Sequence, residues 1–132
     1  MKMIEIRTRT KEEIVDLTAE IGRLVADSGV AEGVCVVFVP HTTAAVTINE
    51  NADPDVKADI LMALRKVVPE SQPFEHAEGN SPAHVKSSLV GSSVTVIVAG
   101  GRLQLGTWQG ICFCEFDGPR ARRAWVRVLP AR

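Results

Sequence analysis

The chain has 132 residues, of which 45% are hydrophobic and 23% charged, and its formal net charge is −1. These values fit one globular domain spanning residues 1–132, and they exclude the basic excess that a general nucleic-acid binder needs. No run of ~18 apolar residues offers a membrane span. The N-terminal MKMIEIRTRTKEE has no apolar signal core, and three cysteines without a metal-type CxxC pair read as free thiols of a cytoplasmic, reducing setting.

The first predicted element is a half-buried strand over Met3–Arg9, where Ile4 and Ile6 alternate with Glu5 and Arg7. A helix follows. Thr10 and Glu13 have the spacing of a capping box, and Ile14, Leu17, Ile21, Leu24 and Val25 form one apolar stripe that Gly29 ends. The unbroken β-branched run Gly33–Val39 predicts a strand covered on both faces. Ala44–Ile48 predicts another, closed by a polar turn at Asn49, Glu50 and Asn51.

Asp53-Pro54 predicts a second helix start: an acceptor at the cap, then a residue with no donor to satisfy. Its stripe is Val56, Ile60, Leu61, Leu64 and Val68, up to Pro69, and residues 70–80 form a polar loop. Ser81-Pro82 repeats the signal for a short helix bearing Val85 and Leu89 and stopped by Gly91. Strands are expected at Ser93–Val98, Thr107–Phe116 and Ala124–Leu129, with a glycine-bracketed excursion at Arg102–Leu105. The order predicts an α+β domain: a mixed, mostly antiparallel sheet with helices mainly on one side.

Charge is divided unevenly. Residues 1–66 hold 8 basic and 11 acidic groups, and residues 67–132 hold 7 and 5. Arg120 to Arg132 contains five arginines and no acid. It reads either as a solvated strand face or as an anion-binding or subunit-contact surface.

The histidines are the most informative polar residues. His41 follows the buried strand, His76 lies in a loop flanked by Glu75 and Glu78, and His84 falls in the first turn of the third helix. Three histidines with one open position can hold a catalytic zinc; three unrelated surface histidines give the same spacing. Glu50 is free to act as a general base or as a partner to a histidine, whereas Asp53 has a full role as a cap. Gly79, Asn80 and Ser81 lead into a helix N-terminus whose backbone donors could face an anion. Arg102 and Arg120 could hold phosphate, and Trp108 could stack on a flat ring or serve as core. Cys112 and Cys114 share one strand face with nothing to activate a thiolate, and read as core.

Four blocks together, VPHTTAAVTINENADPDV, HAEGNSPAHVKSSLVG, GRLQLGTWQGICFCEFDGPR and the arginine-rich ending, resemble the YjbQ-like family from about Ile4 to Leu129. The resemblance implies a single α+β domain that assembles as a homotrimer, with a weak, secondary thiamine-phosphate synthase activity. That reaction joins a pyrimidine diphosphate to a thiazole phosphate. The resemblance further implies a divalent metal, zinc first and magnesium in turnover, on His41, His76 and His84. It points to Glu50, Asp53, Gln109 and Asp117 as catalytic candidates. Thr42, Gly79, Asn80, Ser81, Arg102, Trp108 and Arg120 become candidates for binding a phosphorylated small molecule or inorganic anion. Neither nucleic acid nor membrane is an expected partner. The alternatives are a non-catalytic metal- or anion-binding trimer, or a metal-assisted hydrolase or lyase. This chain carries Pro82 where many relatives have Asp.

Overall fold

The computed structural model describes all 132 residues. In chain order the elements are β1 (Lys2–Arg7), β2 (Glu13–Asp16), α1 (Thr18–Ser28), β3 (Gly33–Phe38), β4 (Ala44–Glu50), α2 (Pro54–Val67), α3 (Ser81–Val90), β5 (Ser93–Ala99), β6 (Arg102–Leu103), β7 (Gln109–Glu115) and β8 (Ala121–Pro130). The α+β class is as expected. The strands, however, divide into two sheets rather than one, ordered β1-β8-β3-β5-β6 and β2-β7-β4. Every pairing is antiparallel. No helix is long and apolar enough to cross a membrane.

Strand alternation builds the core. Ile4 and Ile6, Ala124 and Val126, Cys35 and Val37, and Val96 and Val98 turn one face of the larger sheet inward. They meet Ile111, Phe113, Ala44 and Val46 of the smaller sheet, with Ile21 and Val25 of α1. Full burial of a side chain such as Phe113 stabilises by about 1.5–3 kcal/mol. The reverse face of the smaller sheet packs Ala45, Cys114 and Phe116 against Ala83 of α3 and the half-buried Leu61 and Leu64 of α2. Burial raises all three thiol pKa values, Cys35 to about 11 and Cys114 to about 12, so the cysteines are core residues.

Two local expectations change. Glu13–Asp16 is a strand paired with β7, not the first turn of a helix. Glu13 still accepts the Thr10 N–H at 3.0 Å, but the bond closes a turn. Asp16 then accepts the Thr18 N–H at 2.8 Å where the helix begins. Second, β3 is covered on its inner face only. The outer face of the larger sheet leaves Met3, Phe38, Ile97 and Leu129 exposed. An apolar run reads the same whether its second face is covered or open. Helix α3 bears Val85 and Leu89 as expected, and both are exposed. Its inward face carries Ala83, Lys86 and Ser87, and the Lys86 ammonium donates to Glu12 at 2.6 Å. That ion pair ties α3 to the β1–β2 loop.

Candidate functional site

The same alternation that fills the core also directs charge into it. Glu115 follows Ile111 and Phe113 on the inward face of β7, Arg122 precedes Ala124 and Val126 on β8, and Thr8 follows Ile4 and Ile6. All three side chains meet at one end of the gap between the sheets. Arg122 Nε donates to Glu115 Oε1 at 2.8 Å, and its Nη2 donates to Oε2 and, at 2.8 Å, to Thr43 Oγ1. The Thr8 hydroxyl donates to Glu115 Oε1 at 2.7 Å, and the Asp117 N–H donates to Oε2 at 3.0 Å. Glu115 is 0% exposed and Arg122 3%, so each charge depends on the other. Burial pushes the Glu115 carboxyl up, but the bonds from Arg122, Asp117 and Thr8 together hold it below its ordinary value. Sequence reading passed over Glu115, Arg122 and Thr8. The signal was present: each stands at the core parity of an apolar strand.

Around this buried pair lie several of the expected residues. Asp117 Oδ2 accepts from Asn80 Nδ2 and from Arg120 Nη2, both at 3.0 Å. Asn80 Oδ1 is buried without a partner. His41 is half-buried, and its Nε2 accepts the Arg123 backbone N–H at 2.9 Å. Burial first, and then the Arg122 charge, holds the His41 pKa below its ordinary value. A cavity of about 540 Å³ is lined by Phe38, His41, Thr42, Ser92, Arg120 and Arg122 among others. A smaller one of about 280 Å³ opens between His41, Thr42 and the α3 residues Ser87 and Ser88.

His76 and His84 also come together, ring centroids 5.4 Å apart and edge to face. No three His, Cys, Asp or Glu side chains of the chain stand where they could share an ion. The expected set of three histidines therefore does not fit a zinc within one chain: the structure supplies a pair, and His41 has one ring nitrogen already engaged. The start of α3 also differs from expectation. Asn80, not Ser81, is the cap position. Its carbonyl accepts the N–H groups of Ala83 and His84 at 3.0 and 3.3 Å, and Pro82 has no N–H. This start is therefore no open row of donors. Gly79 has a φ of 78° and no protein atom near its Cβ position, so its left-handed conformation calls for glycine.

The remaining candidates sit at the other end of the smaller sheet. β4 and β7 pair Ala44 with Glu115 at one end and Glu50 with Gln109 at the other, a span of about 20 Å. There Glu50 accepts the Ala52 N–H at 2.9 Å, Asp53 caps α2 through the Asp55 N–H, and Gln109 Oε1 accepts the Gly106 N–H at 2.8 Å. Trp108 is 64% exposed beside them. Arg102 lies on β6, paired with Ala99 at the far end of β5 from Ser92. Of the expected residues, the structure thus gathers His41, Thr42, Asn80, Asp117 and Arg120 at one end, and holds Glu50, Asp53, Trp108 and Gln109 at the other.

The comparisons agree with this architecture. The family model described as UPF0047 protein YjbQ-like matches residues 2–131. A UPF0047 protein of Methanocaldococcus jannaschii is 53% identical, covering 95% of this chain and 91% of that protein. UPF0047 protein YugU of Bacillus subtilis is 49% identical, covering 98% of each. Among solved structures, an uncharacterised conserved protein of the YjbQ/UPF0047 family from Clostridium acetobutylicum superposes with a TM-score of 0.96 at 50% identity, covering 98% of this chain and 100% of that one. A protein of unknown function from Sulfolobus solfataricus gives 0.95 at 33%, covering 98% and 96%. The chain belongs to the YjbQ-like family.

Proposed function

We propose that this YjbQ-like protein is an enzyme that acts on a phosphorylated small molecule, held in the cavity beside His41 and Arg120. The observation that carries the reading is the division of labour between two arginines of that cavity. Arg122 is neutralised by Glu115, whereas the Arg120 side chain is 51% exposed and shares its carboxylate partner, Asp117, with Asn80. Its guanidinium can therefore meet an anion in a fork geometry while Asp117 keeps it oriented. The Thr42 and Ser92 residues lining the same cavity add neutral hydrogen-bonding groups.

The reaction taken for test is the transfer that the family resemblance implies, in which a diphosphate leaves a pyrimidine methylene as the thiazole nitrogen attacks it. An arginine on the leaving diphosphate would stabilise the negative charge that develops there. Purified protein, incubated with both substrates and magnesium, is expected to release pyrophosphate and thiamine phosphate. Arg120→Ala is expected to weaken inorganic phosphate binding roughly tenfold or more. Phosphate binding by neither protein, with no product, would overturn the reading.

The assembly belongs to the same proposal. The exposed Met3, Ile97 and Leu129 on the open sheet face support contact between copies, and the number three follows from the resemblance. Light scattering at micromolar concentration is expected to give three times the 14.3 kDa chain mass; a monomer would refute it.

A further inference from the structure

His41 is usually the kind of residue read as a metal ligand or a general base, and the hydrogen bond it makes argues against both. A backbone amide can only donate. The Arg123 N–H, 2.9 Å from His41 Nε2, therefore needs a lone pair on that nitrogen. Rotating the ring by half a turn would set a carbon opposite the amide, so the assignment does not depend on how the ring is placed. With the lone pair at Nε2, the ring proton sits on Nδ1. Protonating both nitrogens would set one N–H against another. A metal at Nε2 would have to displace the Arg123 amide, which lies on β8 next to the buried Arg122–Glu115 pair and so has little freedom to move.

Nδ1, by contrast, has no protein partner and is not among the buried unsatisfied atoms. His41 lines both the cavity shared with Thr42 and Arg120 and the smaller one beside Ser87 and Ser88, so this nitrogen is the one open to a ligand there. We propose that His41 is a fixed hydrogen-bond donor, presenting Nδ1–H to the bound anion, and neither a metal ligand nor the proton acceptor of the reaction. Burial and the neighbouring arginines disfavour the imidazolium in the same direction. The inference deepens the proposed anion site and rests on it: the ligand group must be an acceptor, a phosphate or diphosphate oxygen, placed to meet Arg120 on one side and an uncharged imidazole on the other.

Two-bond proton–nitrogen correlation spectra of the ¹⁵N-labelled protein read the tautomer directly. His41 is expected to carry its proton on Nδ1, and inorganic phosphate is expected to shift that nitrogen together with the Arg120 signals. Added zinc is expected to move His76 and His84 and leave His41 unchanged. Two variants separate the nitrogens, because an asparagine amide falls near the place of Nδ1 and a glutamine amide near that of Nε2. His41→Asn is expected to stay within about threefold of wild-type phosphate affinity, and His41→Gln to lose roughly tenfold or more. A proton on Nε2, a zinc shift at His41, or equal losses in both variants would overturn the inference. If phosphate moves Arg120 but not His41, the donor role fails and the anion site stands. If phosphate moves neither, the proposed function fails and the donor role with it.

Discussion

The two ends of the β2-β7-β4 sheet are built from similar residues and use them differently. At the Gln109 end, polar side chains close their own turns: Glu50 on Ala52, Asp53 on Asp55, Gln109 on Gly106. Asn51 joins Asp16 at 3.0 Å and Lys57 at 3.3 Å near the surface. At the Glu115 end, bonds run between sheets and between distant segments, from Thr8 and Arg122 to Glu115 and from Asn80 to Asp117. These bonds satisfy the polar groups of that end and leave little over for a ligand. The long-range network holds His41 and Arg120 at a cavity with donors still free, which is the preorganisation that a binding site needs.

The contrast can be broken first at Glu115. Glu115→Gln leaves the Arg122 guanidinium buried without its counter-charge and is expected to cost about 3 kcal/mol or more, read as a lower urea midpoint. Acid gives the same comparison without mutation. The folded-state pKa of Glu115 lies below its unfolded value, so its stabilising contribution is complete above about pH 5 and is lost as the pH falls through about 4.3 and below. Asp16 at the other end is shifted the same way: burial raises it and the Thr18 and Asn51 bonds lower it further. The acid-induced fall in the urea midpoint is expected to shrink in both variants, more in Glu115→Gln, whose carboxyl is fully buried, than in Asp16→Asn, whose side chain is solvent-screened.

Gly118→Ala comes next. A Cβ there would stand 2.4 Å from the Thr10 carbonyl oxygen and 2.9 Å from the Glu115 Cγ and Thr8 Oγ1. A backbone oxygen cannot give way as a side-chain tip can, so a loss of about 1–3 kcal/mol is expected by thermal or urea unfolding. At the opposite end, Asn51→Ala removes two half-exposed hydrogen bonds and is expected to cost about 1 kcal/mol. Trp108→Ala should be the mildest, within about 0.5 kcal/mol for an exposed side chain. Calorimetric phosphate titration is expected to give it wild-type affinity, since Trp108 lies at the end away from Arg120. A large loss of affinity in Trp108→Ala would merge the two ends into one site.

Much of this molecule was legible before any coordinates, because the signals concerned are local. Period-two alternation marked β1. Asp53-Pro54 marked the start of α2 through a cap bond two residues long, and Gly29 marked the end of α1 through a φ of 72° that glycine adopts freely. The long family motifs also placed His41, Asn80, Asp117 and Arg120 among the candidate residues. Their grouping was not legible, nor was the strand nature of Glu13–Asp16, whose apolar residues fit a helical stripe until β7 supplied the ladder partners. Local chemistry therefore determined the α+β class, the end of α1, the start of α2 and the buried thiols. Tertiary structure alone decided that the strands form two sheets and that one end of the smaller sheet gathers a buried ion pair beside His41. The reason is sequence distance: the Thr8–Glu115 bond joins residues 107 positions apart, and no periodicity along the chain carries information about which strands will meet.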